Sequence, residues 1–204
     1  MKLGTFVAQK KHKLMNNIII REATPKDASF IAQMVAMAIR DEETLCNYCG
    51  KDYLKVLAEV AAATATQYSY QNALVAETEQ GELVGGVVGY DGALLNALRT
   101  GTWNIIKKHT SNVPTMTDET SVGEFYLDSL AVMPAYRGHG VGEKLILKLT
   151  EKAFAEGHKK VGLIVDKDNP RAEALYTNIG FERVGERDFF GHQMYHLQMS
   201  VNCI

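Results

Sequence analysis

The chain has 204 residues, 46% of them apolar and 23% charged, with a formal net charge of −2. That length suffices for one domain with a substantial core and does not require two. The near-neutral charge lacks the basic excess of a nucleic-acid binder, and no run approaches the ~18 apolar residues of a membrane span.

Residues 1–17 hold four lysines and a histidine with little periodicity and are read as an extension or leader outside the fold. The first 16 lack the continuous apolar segment of a secretory signal, so none is expected. The domain is expected over 18–202, opening with a strand at 18–23. Thr24 then caps a helix with Pro25 at its first position and Asp27 three residues on. Ile31, Met34, Val35 and Ala38 form its buried stripe. Residues 41–44 read as an acidic break, and a second helix is expected over 52–63.

Residues 73–77 and 83–90 run apolar or alternate around a Glu79–Gln80–Gly81–Glu82 turn and predict a hairpin. A helix is expected over 94–109, interrupted by Gly101. The stretch 110–121 is a polar loop, and the whole segment 94–121 is longer than a simple hairpin needs, which marks it either as an insertion lining a ligand pocket or as a surface decoration. A strand at 124–132, a helix at 142–155, a strand at 161–165, a helix ending at Ile179 and two strands, at 182–189 and 193–201, complete the order. Cys46 and Cys49 form a single C-x-x-C with neither a second pair nor nearby histidines. They read as two reduced thiols of a cytoplasmic protein, Cys203 being the third cysteine, and no metal is expected.

The densest signal lies between β-type and helical patterns at 127–142. An apolar strand enters a turn with Gly138, Gly140 and Gly142 and passes directly into an amphipathic helix. Glycines let several amides approach a ligand closely, and the helix start adds unsatisfied N–H groups and a positive dipole end. Phosphate or pyrophosphate suits such a site, with the charge of Arg137 beside it. A Walker A loop is excluded because Leu145 follows Lys144, where a hydroxyl is required. A dinucleotide fingerprint is excluded because Glu143 stands three positions after Gly140.

Arg137-x-x-Gly140-x-Gly142 instead resembles the [QR]-x-x-G-x-[GA] pattern of the GNAT superfamily of acyl-CoA-dependent N-acetyltransferases. A second block agrees. Asn169 is a helix cap with Pro170 at the first position, Gly180 is the stop, and Ala172, Leu175, Tyr176 and Ile179 form an apolar stripe. This run is similar to the family's N-x-x-A-x-x-x-Y-x-x-x-G-F block.

The resemblance implies an α/β (α+β) GNAT fold, a central mixed, mostly antiparallel sheet flanked by helices. It also implies direct transfer of acetyl from acetyl-CoA to a primary amine of a small molecule or peptide in a ternary complex, with CoA as product. The strand at 127–132 would run beside the pantetheine arm, through backbone groups of Leu130, Ala131 and Val132. An N–H near Leu130 would polarise the thioester. The pyrophosphate would sit on the amides of Gly138, His139, Gly140, Val141 and Gly142, with the His139 side chain read as solvent-exposed. Asn169, Ala172 and Tyr176 complete the cofactor contacts.

Tyr176 is the candidate acid for the leaving thiolate. For the base, Glu124, Asp128 and an ordered water chain without a dedicated residue all stand open. Glu124, Tyr126 and Asp128 should share one strand face. With Asp41, Glu42 and Glu43, expected in a loop at the acceptor groove, these carboxylates would favour a cationic amine. The reading from a different class is a non-catalytic acyl-CoA sensor or complex subunit. A homodimer is left open, and neither nucleic acid nor membrane is expected as a partner.

Overall fold

Alternation along the strands divides the apolar residues between two cores on opposite faces of one sheet. The structure, a computed structural model, describes residues 18–111, 116–189 and 191–201. The proposed leader at 1–17 and Cys203 fall outside them. The strands are β1 (Ile19–Glu22), β2 (Ala73–Glu77), β3 (Leu83–Asp91), β4 (Phe125–Val132), β5 (Lys160–Asp166), β6 (Glu182–Phe189) and β7 (His192–Ser200), in the sheet order β1-β2-β3-β4-β5-β7-β6. Only β4 and β5 pair in parallel; the other neighbours are antiparallel. This is the mixed, mostly antiparallel sheet that the sequence implies.

Four helices cover one face: α1 (Ala28–Ile39), α2 (Glu42–Cys49), α3 (Tyr53–Ala62) and α4 (Leu95–Ile106). Their buried residues, including Ile31, Val35, Tyr48, Leu57, Val60, Trp103 and Ile106, pack on Val75, Val88, Tyr90 and Tyr126 of the sheet. The opposite face carries α5 (Val141–Ala155) and α6 (Pro170–Ile179). There Val141, Leu145, Ile146, Leu149 and Ala153 meet Val84, Val87, Phe125, Leu127, Leu163 and Leu197. Each aliphatic side chain removed from water contributes ~1.5–3 kcal/mol, and this stripe fixes the α5 N-terminus against the end of β4.

Two local expectations are corrected. The acidic break at 41–44 is a helix start: Asp41 caps α2 by accepting from the Thr44 amide at 2.8 Å, and Glu42 and Glu43 occupy the first turn. Carboxylates are favoured there by the helix dipole, so the charge run has a local cause. Cys46 and Cys49 both lie on this helix, unbridged. Gly101 does not interrupt α4. A Cβ at 101 would lie 1.8 Å from the Ala65 carbonyl oxygen, so the residue is small to admit a neighbouring backbone.

Candidate active site

β4 and β5 pair through only two positions, Phe125 with Val161 and Tyr126 with Gly162. Both strands continue, β4 to Val132 and β5 to Asp166, but they diverge. Backbone groups of residues 127–132 that face β5 therefore lack a strand partner among the described residues. Within this stretch the β3 ladder skips a residue: Val88 opposes Ser129 and Gly89 opposes Leu127, leaving Asp128 as a bulge. The bulge inverts side-chain parity. Phe125 and Leu127 contact the α5 side before it, and Leu130 and Val132 do so after it, while Ala131 joins the opposite core.

The chain then passes the 3-10 turn Pro134–Tyr136 into the glycine turn. Gly138 and Gly140 have φ of 77° and 76°, a conformation side chains disfavour, and Gly140 caps α5. Among the described residues, the amides of residues 138–143 have no hydrogen-bond acceptor; the first paired amide is that of Lys144, which donates to the Gly140 carbonyl at 3.0 Å. Six unpaired N–H groups at the mouth of a strand divergence have the donor chemistry that suits an anion. Arg137 is held beside it by its Nε, which donates to the Val132 carbonyl at 3.0 Å. His139 is half-buried instead of solvent-exposed.

The second block folds as the sequence implies. Asn169 caps α6, its Oδ1 accepting from the Ala172 amide at 3.3 Å, and Gly180 ends the helix at φ 111°. Leu175 of α6 approaches Gly142 of α5, which brings the two motifs together: a Cβ at 142 would be 3.7 Å from Leu175 and from Val132. Tyr176 is buried and packs edge-on against Phe181 at 5.9 Å. Burial raises its pKa to about 12, so it stays protonated, and it is a weaker acid than a free phenol.

The two strand carboxylates have opposite environments. Glu124 is 2% exposed and accepts from Thr120 Oγ1 at 2.7 Å, His196 Nε2 at 2.9 Å and Gln198 Nε2 at 2.6 Å. Burial works to raise its pKa, but these hydrogen bonds outweigh it and leave it below the ordinary carboxylate range. Its side chain lies over Gly162, where a Cβ would meet Oε2 at 2.0 Å. Asp128 is partly exposed and accepts from Tyr90 at 2.7 Å and from Ser129 at 2.8 Å. Burial prevails there, and its pKa is raised.

Behind Asp128 lies a polar group that the sequence did not disclose. Gln67 Nε2 donates to the Tyr90 hydroxyl and to Glu119 Oε1, each at 3.1 Å. Arg99 pairs with Glu119 and, at 2.7 Å, with Asp118. Glu119 is buried, and its pKa is pushed up to about 7, first by burial and then by the nearby Asp128 charge. The signal available was the overlong polar stretch at 110–121, which does deliver Glu119 and Thr120 to this site. Asp41, Glu42 and Glu43 stand instead at the exposed start of α2.

Comparison with known proteins identifies the family and the fold. Residues 38–181 match the acetyltransferase (GNAT) family, whose members use acetyl-CoA. A solved acetyltransferase structure superposes with a TM-score of 0.76 at 34% identity, over 90% of this chain and 99% of that one. An N-acetyltransferase from Staphylococcus aureus Mu50 gives 0.74 at 29% identity, over 89% of this chain and all of that one (100%). The N-alpha-acetyltransferase RimI of Mycobacterium tuberculosis is 44% identical over 64 residues, 31% of this chain and 39% of that protein, so the match spans well under half of that curated relative. Family match, fold and the full-length structural likeness lead to one assignment: the chain belongs to the GNAT acetyltransferase family.

Proposed function

We propose that the protein, through a domain spanning 18–202, transfers the acetyl group of acetyl-CoA to a primary amine of a small molecule or peptide. The observation that carries this reading is the row of unpaired amides at 138–143, set where β4 and β5 part. The fit to a pyrophosphate is chemical: six N–H donors, a helix N-terminus and the Arg137 guanidinium meet an anion with many acceptor oxygens. Gly138, His139, Gly140, Val141 and Gly142 would hold that group, and Leu130, Ala131 and Val132 would flank the pantetheine arm. Asn169 and Ala172 would border it from α6. The cosubstrate supplies an activated acetyl thioester.

The chain's own groups account for the protons. A protonated amine must shed one proton before it attacks, and a second as the amide forms. Asp128 would take the first, a reading supported by its partial exposure and its raised pKa. Glu124 is a poor base by comparison, since three donors occupy its oxygens and hold its charge. Tyr176, protonated at any physiological pH, offers a hydrogen bond to a departing thiolate, and full transfer from a phenol near 12 would be uphill.

The test is release of free thiol from acetyl-CoA in the presence of a panel of primary amines, with CoA affinity measured alongside. Turnover on at least one amine is expected. Tight CoA binding with no turnover on any amine would overturn the enzymatic reading in favour of a cofactor sensor.

A further inference from the structure

We propose that Glu119 is a positioning residue that, through the Gln67–Tyr90–Asp128 chain, makes the acceptor subsite selective for a cationic primary amine. The inference rests on the transferase reading above and adds the substrate class and the residues that set it. Its basis is a charge count in a buried space. Asp128 and Glu119 are two carboxylates facing one guanidinium, that of Arg99, whose side chain is 11% exposed. Asp118, the other partner of Arg99, is 57% exposed and is compensated by water. When both inner carboxylates are ionised, the group therefore carries one uncompensated negative charge.

Buried charge without a partner is costly. Two species can neutralise it, a proton or a cation arriving at the exposed edge of Asp128. Glu119 is itself too buried to touch an acceptor, and its influence passes through the hydrogen bonds from Gln67 to Tyr90 and from Tyr90 to Asp128. Gln67 is 1% exposed, and its Oε1 accepts no hydrogen bond among the described residues. Arg99 Nε is likewise a buried donor without an acceptor among the described residues, so the imbalance of the cluster is one of charge, two inner carboxylates against one guanidinium. An alkylammonium at Asp128 supplies the missing positive charge; an amine carrying its own carboxylate nearby does not.

The surroundings suit the same ligand. The charges and titratable groups facing Asp128 and Glu119 are Arg99 from α4, Asp118 from the preceding segment, Tyr90 from β3, Tyr126 from β4, Tyr48 from α2 and Tyr68 from the loop before β2. Tyr90 and Tyr126 stack edge-on at 5.8 Å. All four tyrosines are buried and stay neutral, so none competes for the role of counter-charge. Aromatic surroundings favour a cation over a neutral or anionic group. On binding, the ammonium takes the place of a proton as the species that neutralises the cluster. In the reaction one ammonium proton passes to Asp128, the C–N bond forms, the C–S bond breaks, one of the two remaining amine protons leaves with the thiolate as CoA thiol, and the other stays on the amide nitrogen.

The experiment compares wild type, Glu119→Gln and Tyr90→Phe on an alkyl diamine, a neutral weakly basic amine and an amino acid with a free carboxylate, across pH 5–9. Wild type should favour the diamine. Glu119→Gln should raise KM for the diamine about tenfold while KM for acetyl-CoA stays within twofold. Its acid limb should move to lower pH, because a like charge beside Asp128 is gone. Tyr90→Phe should move the limb the other way, since a hydrogen bond stabilising ionised Asp128 is lost. A role confined to packing would lower stability in both variants without opposite pH shifts. Absence of diamine preference in wild type, or a folded Glu119→Gln protein with unchanged KM and pH profile, overturns the inference while leaving the transferase reading intact. Failure to turn over any amine overturns both.

Discussion

Removing the Glu124 carboxylate separates a structural from a catalytic role for the residue, because the two make opposite forecasts. Glu124→Ala strips three donors of their shared acceptor: Thr120 Oγ1, His196 Nε2 and Gln198 Nε2. Each buried donor left unpaired costs about 1–3 kcal/mol. The contributions overlap, so a loss of about 4 kcal/mol is expected. Glu124→Gln keeps one oxygen for His196 and Gln198 and can donate to Thr120, so about 1–2 kcal/mol is expected. The pH dependence follows from the sign of the shift. The folded-state pKa lies below the unfolded one, so ionised Glu124 adds stability above its unfolded value near 4.5 and loses it as pH falls through the folded value. The gap between wild type and Glu124→Gln should therefore be full at pH 7 and shrink below the unfolded value. Urea denaturation at several pH values reads both quantities, and acetyl transfer at pH 7 reads catalysis. If Glu124→Ala stays within 1 kcal/mol of wild type while Glu124→Gln loses a hundredfold in kcat, the reasoning is refuted and Glu124 is the base.

Acetyl-CoA and CoA should each raise Tm, and NAD or ATP at matched concentration should do markedly less; equal shifts would reject the amide row as a CoA site. Gly140→Val should abolish CoA binding in a folded protein. Nothing lies within 4 Å of a Cβ there, so the strain comes from φ 76° alone, ~1–2 kcal/mol. Calorimetric affinity near wild type would count against the site. Tyr176→Phe should lower kcat by about 10²-fold with CoA affinity nearly unchanged, and kcat within twofold would remove its hydroxyl from the mechanism. Asn169→Ala should cost about 1 kcal/mol through loss of the α6 cap, read by urea denaturation.

The parts of the site built from local sequence were legible. A glycine turn entering an amphipathic helix, and an Asn-Pro start with a Gly stop, are decided within a few residues. Each is found where the sequence places it. What the sequence hid depends on distant partners. Gly101 reads as a helix interruption until the Ala65 carbonyl is seen against it. The bulge at Asp128 follows from the β3 register and leaves no mark in the apolar pattern of β4. Gln67 lies in a run of small and polar residues with no period, and becomes significant only because Tyr90 and Glu119 converge on it across 23 and 52 residues of chain. The acidic residues 41–43 misled for the converse reason. Their cause is local, a helix start, and a charge run carries no label saying so.

The parting of β4 from β5 has a mechanical consequence. Four strands lie on one side of that seam and three on the other, and only two residue pairs stitch them. Elsewhere each neighbouring pair shares at least four registered positions. The sheet is thus lightly stitched along this seam, with Glu124 bridging its closed end to His196 and Gln198 of β7. A ligand strung along the open end would act as a splint between the two halves. Amide exchange should slow on CoA binding in β5, β7 and β6, strands well beyond the glycine turn, because sealing the seam stiffens the half-sheet that it leaves free.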